Sequence, residues 1–146
     1  MRSRKLSDLR PLAGLSNLTA LNLSGNKISD LRPLAGLSNL TDLNLSFHRE
    51  DSDCVKGDKP LDIKPLALLS RLTILNLAGN KISDVKPLAL LNQLNILILS
   101  FNEISDVKPL AGLNKLGALF LSYNKISVKN CPVKPESICY YRESSK

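Results

Sequence analysis

LSDLRPLAGLSNLTALNLSGNK, residues 6–27, runs without a break into ISDLRPLAGLSNLTDLNLSFH, residues 28–48, and the second stretch is nearly a copy of the first. Self-similarity at a fixed period of this length is the mark of a repeat architecture. Pro11, Pro33, Pro65, Pro87 and Pro109 act as a ruler along the chain, with steps of 22, 32, 22 and 22 residues. One coil therefore carries ten extra residues, and the step of fourteen from His48 to Asp62, against four from Asn26 to Asp30, places them within 49–60. The spacing predicts one domain of five coils over residues 6–127, followed by a closing segment and tail over 128–146.

Within the coils the apolar positions match column by column. Leu18, Leu40, Leu72, Leu94 and Leu116 form one column, Leu21, Leu43, Leu75, Leu97 and Leu119 a second, and Leu23, Leu45, Leu77, Leu99 and Leu121 a third. The alternation in Leu21-Asn22-Leu23 has period two, so both leucines point inward and Ala20, Asn22 and Ser24 point outward, as on a short strand. The Leu-Arg-Pro-Leu or Val-Lys-Pro-Leu segment of each coil cannot run on as ordinary helix, because proline lacks the amide donor and restricts the residue before it. Short 3-10 or irregular turns are expected on that side. No single coil holds a core of its own, so neighbours must supply the missing contacts.

Asn26, Asn80, Asn102 and Asn124 recur where the chain must leave the strand, and an amide side chain can satisfy the backbone groups that such a turn leaves unpaired. The pattern Leu18-x-x-Leu21-x-Leu23-x-x-Asn26-x-Ile28, whose leucines recur in all five coils and whose asparagine and isoleucine recur in four, resembles the leucine-rich-repeat family. The 22-residue length with Ile-Ser-Asp-Leu-x-Pro-Leu resembles its bacterial internalin-like and SDS22-like branch. The resemblance implies an α/β fold: a right-handed horseshoe solenoid with a parallel concave sheet, short 3-10 or irregular convex segments, and a binding partner on the concave face.

A solenoid needs its end coils covered. Only five residues precede Leu6, so the amino end reads as uncapped, as expected of a fragment, a truncated product or an end that docks on a partner. At the other end Val128, Val133, Ile138, Tyr140 and Tyr141 are expected to fold over the last coil; the segment resembles the closing segments of some cyanobacterial repeat proteins. Cys131 and Cys139 stand as a disulfide or as buried thiols, the two readings being left open. The insertion, Arg49 to Lys59, is polar and turn-rich, and reads as a surface loop at the rim of the sheet. No apolar signal core follows Met1 and no run of about 18 to 20 apolar residues is present, so neither an export address nor a membrane span is expected, and the cytoplasm is favoured while the compartment stays open.

Little in the sequence points to catalysis. The one histidine, His48, falls in the asparagine column and reads as a structural substitute there. No Ser/His/Asp or Cys/His arrangement can be built on it. Asp51 and Asp53 suggest calcium, yet a binding loop of the helix-loop-helix type would want an oxygen ligand at Val55 and a glycine at Lys56, so no metal and no cofactor are expected. The net charge of +7 raises nucleic acid as a partner. However, Asp8, Asp30, Asp62, Asp84 and Asp106 each stand two residues before Arg10, Arg32, Lys64, Lys86 and Lys108, and these columns largely cancel. The surplus, from Lys27, Lys81, Lys125 and the two ends, is scattered rather than grooved with aromatics. Nucleic acid is therefore not expected.

The concave positions carry the functional expectation. They lose polarity toward the carboxyl end, from Ala20, Asn22, Ser24 and Asp42, Asn44, Ser46 to Ile74, Asn76, Ala78, then Ile96, Ile98, Ser100 and Ala118, Phe120, Ser122. With the next position added, Phe47, Ile74, Ile96, Ile98, Phe101, Phe120 and Tyr123 form a set with no inward role. Contiguous apolar surface with aromatic anchors marks interaction sites. The expected function is a non-enzymatic module that binds a protein partner of unknown identity through these seven residues. The alternative is a structural spacer or a piece of a larger multidomain receptor or regulator. Oligomeric state is not legible.

Overall fold

The computed structural model describes residues 6–47 and 59–141. The readings of His48, Asp51, Asp53 and most of the insertion lie outside these residues, as do those of the extreme tail.

Among the described residues six short parallel strands form one sheet in chain order: β1 Ala20–Asn22, β2 Asp42–Asn44, β3 Ile74–Asn76, β4 Ile96–Ile98, β5 Ala118–Phe120 and β6 Cys139–Tyr140. Register follows the sequence columns, with Leu21, Leu43, Leu75, Leu97 and Leu119 side by side. The ten extra residues between β2 and β3 leave this alignment intact, since Leu43 pairs with Leu75 just as Leu75 pairs with Leu97. Hydrogen bonds continue the sheet past the strand ends. Leu23 N donates to Asn44 O, Leu45 N to Asn76 O, Leu77 N to Ile98 O and Leu99 N to Phe120 O, each at 2.8 Å.

Opposite the sheet each coil makes a 3-10 turn: Arg10–Leu12, Arg32–Leu34, Lys64–Leu68, Lys86–Leu88 and Lys108–Leu110. The helical side of the fold is 3-10 throughout the described residues, as the prolines dictate. Proline sits at the start of each turn, where the amide it lacks has no partner within the turn. The acidic column has a job here that its charge does not reveal. Oδ1 of Asp8, Asp30, Asp62, Asp84 and Asp106 accepts the backbone N–H two residues on, at 2.9–3.0 Å, and so ties down the start of the turn. In the first two coils the arginine also grips the carboxylate, Nη2 to Oδ2 at 2.8 Å. The arginine hydrogen bond is the main reason both carboxyls titrate low, at about 2.

Between sheet and turns lies a core of leucine, isoleucine and valine, with Leu34, Leu66, Leu75, Leu97 and Leu119 among its wholly buried members. The first coil is the exception: Leu12, Leu18 and Leu21 are half-buried and Leu6 and Leu15 exposed. Asparagines line the edge where the strands end. Nδ2 of Asn102 donates to Leu77 O, Leu99 O and Ser100 O, while its Oδ1 accepts from Asn80 N and Ile82 N, so one side chain bonds two coils together. Asn80 and Asn124 repeat the inward arrangement.

Besides packing on the last coil, the closing segment adds a strand to the sheet, β6, with Cys139 beside Leu119 in the leucine column. Val133 and Ile138 bury against the core, whereas Val128 is exposed. Cys131 and Cys139 form a disulfide with Cα atoms 5.7 Å apart, and the Tyr141 hydroxyl donates to Asn130 O at 3.0 Å. Burial raises the Tyr141 pKa. The Lys134–Pro135 bond is cis.

Candidate functional site

Strand register sorts the outward positions of the sheet into two columns. Ala20, Asp42, Ile74, Ile96 and Ala118 make one; Asn22, Asn44, Asn76, Ile98 and Phe120 make the other. The second column changes character midway. The amides in β1 to β3 are occupied locally: Asn22 Oδ1 accepts from the backbone N–H and hydroxyl of Ser24, Asn44 Oδ1 from those of Ser46, and Asn76 Oδ1 from Ala78 N. Ser46, expected to face outward, is buried in this arrangement. From β4 onward the same positions are Ile98 and Phe120, which have no such bonds to make.

The column then runs one residue further than the sequence reading reached. Tyr140 of β6 pairs in register with Phe120, and their rings stack with centroids 4.7 Å apart and planes 13° from parallel. The sequence places Tyr140 in the closing segment and not in this column. The signal for it was the continuation of the alternation, Cys139 inward and Tyr140 outward, hidden because a cysteine stands where every earlier coil has leucine.

A second row lies just past the strands. Gly25, Phe47, Gly79, Phe101 and Tyr123 occupy equivalent places in successive coils, and their amides are held by cross-coil bonds to Ser46 O, Ala78 O, Ser100 O and Ser122 O in the first four. The turn puts Gly25 and Gly79 at φ of 76° and 79°, and it puts Phe101 and Tyr123 at 59°. A left-handed backbone costs a residue with a Cβ about 1–2 kcal/mol, and glycine nothing comparable. Phe101 and Tyr123 therefore hold exposed rings at a place where glycine would be more relaxed. They stack on each other, centroids 4.4 Å apart and planes 9° from parallel.

The seven residues singled out from the sequence thus fall into two adjoining areas. Ile74 and Ile96 are neighbours on the sheet, and Ile98 and Phe120 are neighbours in the next column. Phe47, Ile98, Phe101 and Tyr123 line an open groove of about 760 Å³ together with Gly79 and Lys81. Ile98 belongs to both areas. Phe120 stacks on Tyr140 rather than joining the groove. Beside the rings, Glu103 and Lys125 approach to 3.8 Å.

Two further apolar residues lie on the opposite side. Leu68 and Leu90 are 70% and 77% exposed, and they replace the glycine found at Gly14, Gly36 and Gly112. That column break was visible in the sequence. Among the described residues no group of three or more His, Cys, Asp and Glu side chains could hold a metal ion, and no helix is long and apolar enough to cross a membrane.

Comparison with known proteins agrees with this architecture. Family models described as leucine-rich repeats match residues 16–55 and 70–126. An internalin, inlF, from Listeria monocytogenes shares 35% identity with a TM-score of 0.78, over 94% of this chain and 37% of that one. A second Listeria monocytogenes internalin, inlC2, shares 32% identity with a TM-score of 0.76, over 96% of this chain and 60% of that one. The chain thus spans between about a third and three fifths of these internalins. A Leptospira interrogans leucine-rich-repeat protein, at 23% identity and a TM-score of 0.67 over 94% of this chain and 34% of that one, shares the fold. No curated protein sequence matches. Proteins built this way are generally protein-interaction modules rather than enzymes. The chain belongs to the leucine-rich-repeat family, in its bacterial internalin-like form.

Proposed function

We propose that the protein is a non-enzymatic module that holds a protein partner against the carboxyl-terminal half of its concave face. The observation that carries this reading is the switch in one register column from Asn22, Asn44 and Asn76, each occupied by a neighbouring backbone N–H, to Ile98 and Phe120. Apolar side chains on a rigid sheet cost little to order on binding, and aromatic anchors contribute most of the energy in such interfaces. Ile74, Ile96, Ile98 and Phe120 supply the strip, Tyr140 extends it, and Phe47, Phe101 and Tyr123 supply its edge.

The test is affinity capture from a lysate of the source organism with the wild-type chain, Ile98→Asp and Phe120→Ala, read by mass spectrometry. The reading expects a partner retained by the wild type and lost from both variants while their melting curves stay cooperative. Equal retention by all three chains would contradict it. A structural spacer within a longer protein is the second reading, favoured by the modest share of the internalins that the chain spans. It expects no partner that responds to either substitution.

A further inference from the structure

Among the described residues, a ring stacks on one face of Phe101 only. Tyr123, in the next coil, lies against it at 4.4 Å and 9°. In the preceding coil the equivalent residue is Gly79, which offers no ring, and Phe101 is 59% exposed. The glycine is fixed by the backbone: its φ is 79°, and a Cβ there would run onto the carbonyl oxygen of Phe47. The coil thus cannot fill the place with a side chain at this position. The groove of about 760 Å³ opens here, between Phe47 and Phe101, with Ile98 contributing apolar surface and Asn76 and Ser100 polar atoms.

Resting on the reading of this face as a protein-binding surface, we infer that the opening beside Gly79 is a subsite for one aromatic side chain of the partner, stacked on the uncovered face of Phe101. Three observations select that chemistry. The chain's own Tyr123 shows what fits against this ring, at what distance and at what angle. Among the described residues the charged groups lining the groove are Lys81 and Glu103, one of each sign, so charge complementarity favours a neutral occupant over an anion or a cation. Phe101 and Tyr123 keep rings at a left-handed backbone position that glycine would occupy with less strain, which the fold alone does not require. A ring gains over an aliphatic group of similar size because offset stacking adds to burial of area, by a factor of about two to ten in affinity.

The experiment titrates the isotopically labelled full-length chain with N-acetyl-tyrosine amide and, separately, with N-acetyl-leucine amide, following the Phe101 ring and Ile98 methyl resonances by NMR. The tyrosine probe is expected to shift both sets and to bind about two- to tenfold more tightly than the leucine probe. In Phe101→Gly, where the backbone is relaxed, and in Phe101→Leu, where apolar bulk is kept, that preference should vanish while cooperative melting persists. Equal binding of the two probes, no binding of either, or a preference that survives both substitutions would overturn the subsite. Either result leaves the concave-face reading to stand or fall on its own capture experiment, where Phe120→Ala reports on the strip outside the subsite and Ile98→Asp on the residue the two areas share. A preference present in wild type together with capture indifferent to Phe120→Ala would sink the strip outside the subsite and keep the subsite.

Discussion

Asn102 shows what a single position contributes. It is 7% exposed and makes five hydrogen bonds, three donated to carbonyls of two coils and two accepted from backbone amides. Asn102→Leu would strand several of those groups away from water, at about 1–3 kcal/mol for each buried group left unpaired. Loss of about 3 kcal/mol or more is expected in urea unfolding, and clearly less for Asn26→Leu at the more open first coil; equal losses would contradict the ladder's role. Asp8 and Asp30 allow a pH prediction. Both pKa values lie near 2, below the ordinary 3.8, so the stability they add is present above that ordinary value and is lost as pH falls through about 2. The double variant Asp8→Asn, Asp30→Asn is expected to show a shallower fall in Tm between pH 4 and 2 than wild type. Both carboxylates are open to solvent, so the difference should be small. Residue identity in the core and ladder was legible because the columns repeat. The aspartates' bond to the turn was not, since charge pairing and backbone capping ask for the same residue at the same place.

At the scale of elements, the strands and turns followed from period-two alternation and from proline, and the sixth strand did not. Two things concealed it: the repeat length breaks after Ile126, and Cys139 stands in a leucine column. Pairing onto β5 decided the matter, because an edge strand with unpaired N–H and C=O groups accepts whatever extended segment is at hand. The disulfide holds that segment. A loop closed over a separation of eight residues restricts the unfolded chain by about 2.5 kcal/mol. Cys131→Ser is therefore expected to lower Tm by several degrees, and hydrogen exchange should show faster opening of the Leu121 N–H, which bonds to Tyr140 O. Unchanged exchange at Leu121 would mean that β6 is held by packing alone. The aromatic row past the strands was legible as exposed apolar surface, but its stacking and its missing ring at Gly79 required coordinates. A sequence does not say which φ a turn imposes.

For the whole molecule, stability belongs to the stack, because each coil borrows contacts and hydrogen bonds from its neighbours. That is why ten inserted residues are accommodated between β2 and β3 without a change of register: a long surface excursion costs little, whereas a slip of one residue would turn every leucine outward. The same alignment gathers residues far apart in sequence, from Phe47 to Tyr123, around one groove. Leu97 and Ile98 are adjacent in β4 and face opposite ways, the first wholly buried and the second on the outward side of the sheet. Thermal melting of Leu97→Asp and Ile98→Asp side by side is the most direct measurement of the claim that one face of this strand is core and the other is surface. Leu97→Asp should abolish cooperative unfolding, since a charge would enter an apolar interior. Ile98→Asp should melt cooperatively within about 5 °C of wild type, a change of about 1–2 kcal/mol in a domain of this size. If Ile98→Asp unfolds the protein as Leu97→Asp does, the concave strip is core and the account of its function fails.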